Sequence, residues 1–564
     1  MTGSTRRRYT VGLLLVLFAC FRAFYIYHAR IDSDEPQHLH VAWGWTQGFL
    51  QYRDVFDNHT PLFHLLLAPL VSLAGERADI VVVMRWAMVP LFLLSLFCTW
   101  QLGRVLYSME TAIWAAMITA FSPKFFFVAG QFRSDDLWVA LWLMTLVVLV
   151  HPQLSWTRSL GAGVLIGAAV AASLKTVLLL FALLGALVAV LVMRRIAGRS
   201  TSLARIGLLA ISAAAGAMLI PGVIVLFYVH EHALGRLLYG AVFHNYVPRL
   251  GHWKHHGLQL LFVPELVVLG LLAALLFRTA PSIEAAGRRV FVILSAGIYL
   301  ALLVSFWPLL APESFLPVYP IASLAIAGFV CFPLATTSSA AHRLRGQSTR
   351  GSSRGHATLL AIAAVEILAI CLLSPPWING TVAEEALLHD VLRLTTRADY
   401  VMDGKGETVF RRRPFYPIFE HITRNRIGLH LIEDSLVRDL VRTRTCVVTS
   451  FHPFKQSDIA FIRQNYVPVG PLSVAGKFIS LDDASLSAEF TVQIPAQYAI
   501  IAQNGAFRGQ LDDQPYSAPR FLGAGPHRVL STSGRDCVAI VWSRAIERGY
   551  SPFKVAPWSI PVLY

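Results

Sequence analysis

The residues that could do chemistry begin with Ile31-Asp32-Ser33-Asp34-Glu35-Pro36-Gln37-His38-Leu39-His40, directly after a long apolar stretch. Each of its carboxylates and imidazoles is costly in hydrocarbon, so they belong at a membrane interface or in a polar cavity. Pro36 suits the first turn of a helix, and the acids ahead of it suit a helix N-terminus. Taken alone, the stretch also reads as a solvated loop with a helix cap. Further clusters follow. Asp54, Asp57 and His59 come first, then Arg133, Asp135 and Asp136, then Lys175. After these come His244, Asn245, Arg249, His252, Lys254, His255 and His256, and finally Glu313 and Tyr319. Carboxylates can take a proton from a hydroxyl nucleophile or hold a divalent cation. Lys and Arg can hold a phosphate and stabilise charge developing on it. Trp43, Trp45 and Trp253 offer faces for a sugar or a lipid chain. Each cluster also has a plainer reading. Asp135 and Asp136 could serve only the dipole of a following helix. Lys175 could snorkel from a span end. The His-rich loop matches no standard metal spacing.

The elements that must position these residues are membrane spans. Hydrophobic residues make up 55% of the 564 and charged ones 14%, with a mean hydropathy of +0.57. A soluble protein of this size carries about a quarter charged residues. Apolar runs of about twenty residues recur through the first two thirds, which predicts a polytopic α-helical membrane protein. The formal net charge of +15 invites a nucleic-acid partner. Most Arg and Lys clusters, however, fall in short loops between apolar runs. That is the positive-inside pattern, and no nucleic acid is expected.

Arg6-Arg7-Arg8 ahead of an apolar span over Tyr9–Tyr27 predict an uncleaved first helix with its N-terminus in the cytoplasm. Leu62–Ala74 is short for a span and reads as an interfacial helix. Ten further spans are expected at Ile80–Leu102, Thr111–Val128, Leu137–Val150, Gly161–Leu174, Val177–Met193, Ile206–Val229, Leu258–Phe277, Val290–Leu310, Phe315–Leu334 and Thr358–Leu373. With about eleven spans, nearly every basic loop lies inside and the polar clusters share the outer side. The boundary falls between a transmembrane domain over 1–376 and an extracytoplasmic domain over 377–564. The latter is large enough for its own core. It has a helical pattern over Ala383–Thr395 and Ser457–Tyr466, and buried-strand patterns at Cys446–Ser450 and Cys537–Trp542, which predict an α/β fold. Cys446 and Cys537 could pair in an oxidising compartment or remain core thiols.

Several motifs now stand in order on one side of the membrane. Asp34-Glu35 follows the first span, and Asn58-His59-Thr60-Pro61-Leu62-Phe63 leads into the next helix. Arg133-Ser134-Asp135-Asp136-Leu137-Trp138 forms an acidic second external loop. Ser173-Leu174-Lys175-Thr176 and Phe315-Leu316-Pro317-Val318-Tyr319-Pro320 follow. Together they resemble the GT-C fold glycosyltransferase superfamily of protein O-mannosyltransferases, aminoarabinose transferases and lipopolysaccharide galacturonosyltransferases. The family has an Asp-Glu pair after its first span, a His-Pro-Pro-type lead, a Thr-Lys-Gly-Pro-like turn and a Leu-Pro-x-x-Pro segment. Here the Thr before Lys175 and the Pro after it are missing. The resemblance covers about two thirds of the chain, the membrane part.

The resemblance implies transfer of a sugar from a polyprenyl phosphate to an acceptor hydroxyl outside the cytoplasm, with inversion, in a bacterial inner membrane. The acceptor would be a lipid, glycan or protein. Asp34 would be the general base or metal-organising carboxylate, Glu35 its partner, and Asp135 or Asp136 the second acid. Lys175 and Arg249 would hold the donor phosphate, with His59, Arg133, His252 and Tyr319 as further substrate contacts. A divalent metal on Asp34 and Asp136 is an open expectation; no organic cofactor is implied. Two alternatives come from other classes: a transporter or flippase of a lipid-linked sugar, which would need charges at mid-membrane, and a non-catalytic envelope assembly protein.

Overall fold

The structure is a computed structural model that describes residues 3–199, 202–246, 280–307, 309–331, 344–449, 454–482, 485–532 and 537–554. The chain forms two compact units, and they are interleaved along the sequence. One comprises Met1–Arg30, Asn58–Leu66 and Val82–Gly380; the other comprises Ile31–Asp57, Leu67–Val81 and Thr381–Tyr564. A linear boundary at 376/377 therefore describes only part of the division. The stretch around Asp34 folds with the C-terminal residues.

The first unit is helical. Its elements include α1 (Gly3–His28) and, after α2 (Asp34–Thr46) and α3 (Leu62–Ala74), α4 (Ile80–Leu106), α5 (Met109–Phe121) and α6 (Pro123–Val128). Then come α7 (Ser134–Leu149), α8 (Trp156–Ala172), α9 (Thr176–Ile196) and α10 (Leu203–His230), followed by helices Ile283–Phe306, Val318–Cys331 and Leu344–Leu373. Among the described residues, six helical segments are long and apolar enough to cross a membrane: Tyr9–His28, Ile80–Leu106, Thr176–Ile196, Leu203–His230, Ile283–Phe306 and Gly355–Leu373. The expected span Leu258–Phe277 lies outside the described residues. The span expected over Thr111–Val128 is two helices. Pro123 occupies the first turn of α6, and a proline there ends the helix before it. α3 has 13 residues, too few for a span.

Sequence chemistry explains how these helices end and pack. The buried Arg85 of α4 donates to the carbonyls of Ile26 (3.2 Å), Ala29 (2.8 Å) and Arg30 (2.9 Å), closing the C-terminal end of α1. Arg289 does the same for α4 through Leu106 O at 2.7 Å. Arg22, inside α1, donates to Phe126 O at 2.7 Å. These cations satisfy backbone groups that hydrocarbon would leave unpaired. α8 and α10 touch through glycine: a Cβ on Gly163 would meet Ala213 O at 2.0 Å. Small residues allow such backbone approach in membrane helices. The core of this unit is aromatic, with Trp114, Phe121, Trp138, Trp142 and Tyr299 buried.

The second unit is rich in sheet. Its strands are β1 (Val401–Met402), β2 (Val447–Val448), β3 (Tyr466–Pro468), β4 (Ser473–Ile479), β5 (Ser487–Val492) and β6 (Ala496–Ala502). They continue with β7 (Gly509–Leu511), β8 (Gln514–Pro515), β9 (Arg520–Leu522), β10 (Gly525–Ser531) and β11 (Val538–Trp542). One sheet runs β1-β2-β4-β11-β6-β9 with β3 beside β4, and a second runs β5-β10-β7-β8. Among the strands of the described residues, only β1 and β2 pair in parallel. β11 lies between β4 and β6, and all five of its residues are buried. That explains its unbroken apolar run, since a central strand covered on both faces shows no alternation. The helix Val382–Leu394 buries Leu388, Val391 and Leu394 at helical spacing. Cys446 and Cys537 are both free thiols.

Candidate functional site

The first candidate cluster lies in the second unit, at the start of α2. Asp32, just ahead of the helix, accepts the Asp34 N–H at 3.0 Å, while Glu35 reaches back to the Asp32 N–H at 3.1 Å. This reciprocal pattern is a variant of a capping box. It gives Asp32 and Glu35 structural work at the start of the helix. α2 is no solvated loop: every residue from Glu35 to Gly44 is buried. Leu39, Val41, Ala42 and Trp43 supply the apolar area for that burial.

Asp34 pairs with Lys405, a residue 371 positions away, whose ammonium also donates to Ser33 Oγ at 3.1 Å. The two side chains are only 18% and 11% exposed. Burial would lower the Lys405 ammonium. The carboxylates of Asp34, Asp32 and Glu420 overturn that and hold it above its ordinary value. The loop that delivers Lys405 is organised by Asp403. Its carboxylate accepts from Gly406 N (3.0 Å), Thr408 N (2.9 Å), Thr408 Oγ1 (2.7 Å) and Arg413 Nε (2.6 Å). Gly406 has φ +100°, and a Cβ there would stand 3.2 Å from Gln37 Cα and His40 Cβ. Only glycine takes that conformation and that space without strain. His40 Nδ1 sits 2.8 Å from Val409 O, so the loop is keyed to α2 at a second point. Burial, and after it the Asp403 charge, push the Glu407 carboxyl up. Asp57 is locked by Gln37 (3.0 Å) and Gln51 (2.6 Å) and is fully buried.

The second cluster lies in the first unit, at the start of α7. Lys175 Nζ holds Asp135 Oδ1 at 3.0 Å, Arg133 Nε lies 3.5 Å from Asp135 Oδ2, and Arg133 Nη2 holds Glu313 Oε1 at 3.1 Å. Side-chain exposure is 4% for Asp135, 5% for Arg133, 14% for Lys175 and 16% for Glu313. A merely snorkelling lysine would show its head to water. Lys175 instead turns inward and lies 5.4 Å from the Trp138 ring. Trp138 Nε1 donates to Thr176 Oγ1 at 2.9 Å, which fixes the start of α9 against α7. His59 is half-buried and within electrostatic range of Asp135. Asn245 donates to Asn58 O at 2.8 Å, tying the lead into α3 to the segment after α10. Asp136, next along α7, is also buried. Tyr319 is half-buried in the first turn of Val318–Cys331, just after the short turn that carries Glu313.

The sequence expectations thus divide by unit. Asp135, Arg133, Lys175 and Glu313 form one network in the first unit, whereas Asp34 and Glu35 belong to the second. Arg249, His252 and Trp253 lie outside the described residues. Lys405 was missed. Its surroundings, Asp403-Gly404-Lys405-Gly406-Glu407, are conspicuously charged and glycine-rich for a domain interior. Nothing in that run specifies a partner 371 residues earlier. Asp34 and Asp136, the pair expected for a divalent metal, lie in different units, and the Lys405 ammonium contacts one Asp34 oxygen. Among the described residues, no group of three or more His, Cys, Asp or Glu is arranged to hold an ion.

Residues 58–221 match the family of dolichyl-phosphate-mannose-protein mannosyltransferases. No curated protein matches the chain by sequence. Among solved structures, ArnT from Cupriavidus metallidurans in the apo state is similar, with 14% identity and a TM-score of 0.53, covering 82% of this chain and 96% of that one. ArnT bound to undecaprenyl phosphate gives 13% identity and 0.53, covering 82% and 95%. The archaeal oligosaccharyltransferase AglB from Archaeoglobus fulgidus gives 14% and 0.44, covering 78% and 69%. At such identities the likeness to ArnT is one of fold. With the apolar helices, it makes this chain a multi-pass membrane protein of the GT-C-like architecture expected from its motifs.

Two predictions follow from these clusters. Breaking a buried ion pair from one side leaves an uncompensated charge and costs about 3–5 kcal/mol. Lys175→Met should therefore lower thermal stability in detergent, and adding Asp135→Asn should restore part of it. Simple addition of the two losses would show that the residues are uncoupled. The second concerns Glu407, whose carboxyl is raised in the fold above its ordinary value of 4.5. The folded state then holds a proton that the unfolded state releases, so stability should fall as pH rises from the ordinary value through the raised one. Glu407→Gln should flatten that slope and melt above the parent at neutral pH. Parallel melting curves at every pH would refute the assignment.

Proposed function

We propose that this protein, with the fold of ArnT, is an integral membrane glycosyltransferase. It moves a sugar from a polyprenyl-phosphate donor to an acceptor hydroxyl on the extracytoplasmic side of a bacterial inner membrane. The N-terminus is cytoplasmic and the C-terminal domain extracytoplasmic. The observation that carries this reading is Asp34, a carboxylate held by the Lys405 ammonium at the start of a buried helix. Support comes from the match of residues 58–221 to the mannosyltransferase family and from the capture of a protein of the same fold with undecaprenyl phosphate.

In this reaction the acceptor oxygen attacks the anomeric carbon and the bond from that carbon to the phosphate oxygen breaks. Polyprenyl phosphate leaves with the electron pair, and the configuration inverts. The acceptor proton passes to Asp34. An ammonium beside a carboxylate favours its ionised form, so Lys405 keeps the base ready to accept. Glu35 supports Asp34 through the cap at Asp32. Lys175, Arg133 and Arg249 are the candidate cations for the donor phosphate, with His59, His252 and Tyr319 as further contacts. Arg133 and Lys175 already balance Asp135 and Glu313. Asp135 is therefore the acid that orients the cations, and a phosphate would compete with it.

Asp34→Asn keeps size and removes the charge. Transfer from a polyprenyl-phosphate sugar to extracted envelope acceptors should fall about a hundredfold or more, the scale of lost general acid–base help. Asp32→Asn is the control, because asparagine also caps helices and should leave transfer near the parent's. Equal transfer by Asp34→Asn, or greater damage from Asp32→Asn, would place the base elsewhere.

A further inference from the structure

The second unit carries a partly open cavity of about 260 Å³ that the proposed reaction does not use. Trp43, Phe49, Phe56 and Tyr416 line it, together with Asp54 and Arg412. The aromatic groups are held edge to face. Trp43 and Phe49 have ring centroids 5.9 Å apart at 76°, and Phe56 and Tyr416 5.5 Å apart at 87°. The Tyr416 hydroxyl donates to Tyr52 O, which fixes the ring. Asp54 is anchored by the Leu50 N–H at 2.9 Å and by Arg53 at 2.9 Å.

The cations on this wall differ in what they already do. Arg413 is committed to Asp403, Pro417 O and Gly404 O. Arg442 is paired with Asp439 at 2.8 Å. Arg412 has its guanidinium carbon 5.1 Å from the ring centroids of both Phe49 and Tyr400, and its charge also acts on the Asp54 carboxylate that lines the same cavity. A guanidinium stacked between aromatic faces keeps its edge for planar anions, which it binds bidentately. Rigid aromatic faces suit the C–H face of a sugar ring, and the Asp54 carboxylate can accept from its hydroxyls. The volume is below the usual 300–1,000 Å³ or so of drug-sized sites, which fits one small ring better than an oligomer or a lipid chain.

We propose that this cavity binds a single anionic saccharide unit, a uronate or a phosphorylated sugar, with Arg412 on the anionic group and the aromatic walls on the ring. α2 sets its relation to Asp34. Trp43 stands nine residues beyond Asp34 on the same helix, about 13 Å along its axis. A unit bound there would belong to the acceptor and flank the accepting sugar; that assignment rests on the glycosyl-transfer reading, whereas the binding site does not.

Calorimetry on the full chain in lipid nanodiscs tests the site without requiring turnover. The probes are methyl glucuronide, glucose 6-phosphate and methyl glucoside. At least one anionic sugar should bind about tenfold or more tighter than methyl glucoside, and the one that does identifies the anion. Arg412→Gln should bring its affinity down to that of the neutral sugar. Arg438→Gln, which removes an exposed arginine paired with Glu433 away from the cavity lining, should change nothing. Equal binding of charged and neutral sugars, unaltered affinity in Arg412→Gln, or no binding by any probe would overturn the proposal. Because Arg412→Gln is read by binding alone, failure here is separable from failure of the transfer reaction, which Asp34→Asn reads.

Discussion

The arrangement around α2 depends on one interaction, the pairing of Asp34 with Lys405. A carboxylate that is mostly taken from water without a partner would neutralise itself or loosen the helix that carries it. Lys405 prevents both, at the price of its own desolvation. The sign of the outcome is visible in Lys405 itself, whose ammonium stays above its ordinary value despite burial. Four carboxylates shape the setting with different tasks. Asp32 and Glu35 cap the helix, Asp403 folds the loop, and Asp34 pairs with the ammonium. Removal of the loop's key, at Gly406, would move Lys405 without touching any charge.

The network at α7 solves a similar problem in the helical unit. Two cations and two anions, nearly all out of water, balance one another through Lys175, Asp135, Arg133 and Glu313. Residues drawn from different parts of the chain converge there, and Trp138 and Thr176 hold two of the helices in register. Buried ion networks are poor sources of net stability, because desolvation offsets much of the attraction. Their presence at helix ends calls for a reason other than stability, and anion binding by the cations is the one the proposed reaction supplies.

Much of the helical unit was legible because hydropathy has a length scale. A run of about twenty apolar residues specifies a span whatever it packs against. Asp34, Asp135 and Lys175 stood out as candidates, since charged residues beside spans are expensive and so conspicuous. What escaped was long-range. The cations Arg22, Arg85 and Arg289 hold distant backbone carbonyls, and nothing in the sequence around them names those partners. The break at Ser122-Pro123 was visible as a proline and was overridden by the apolar run around it. The return of Ile31–Asp57 to the C-terminal unit follows from burial of α2, and periodicity along one segment says nothing of which partner buries it. Lys405 belongs to the same class of pairing, set by folding and not by spacing.

The most direct measurement is the pH dependence of transfer in Lys405→Gln beside Lys405→Arg. If the ammonium keeps Asp34 ionised, its loss makes the carboxylate easier to protonate. The acid limb of the profile should then move to higher pH in Lys405→Gln, with the deepest loss at low pH, and return toward the parent's position in Lys405→Arg. A uniform loss at every pH, with the acid limb unmoved in Lys405→Gln, would contradict a role for the pair in holding the base.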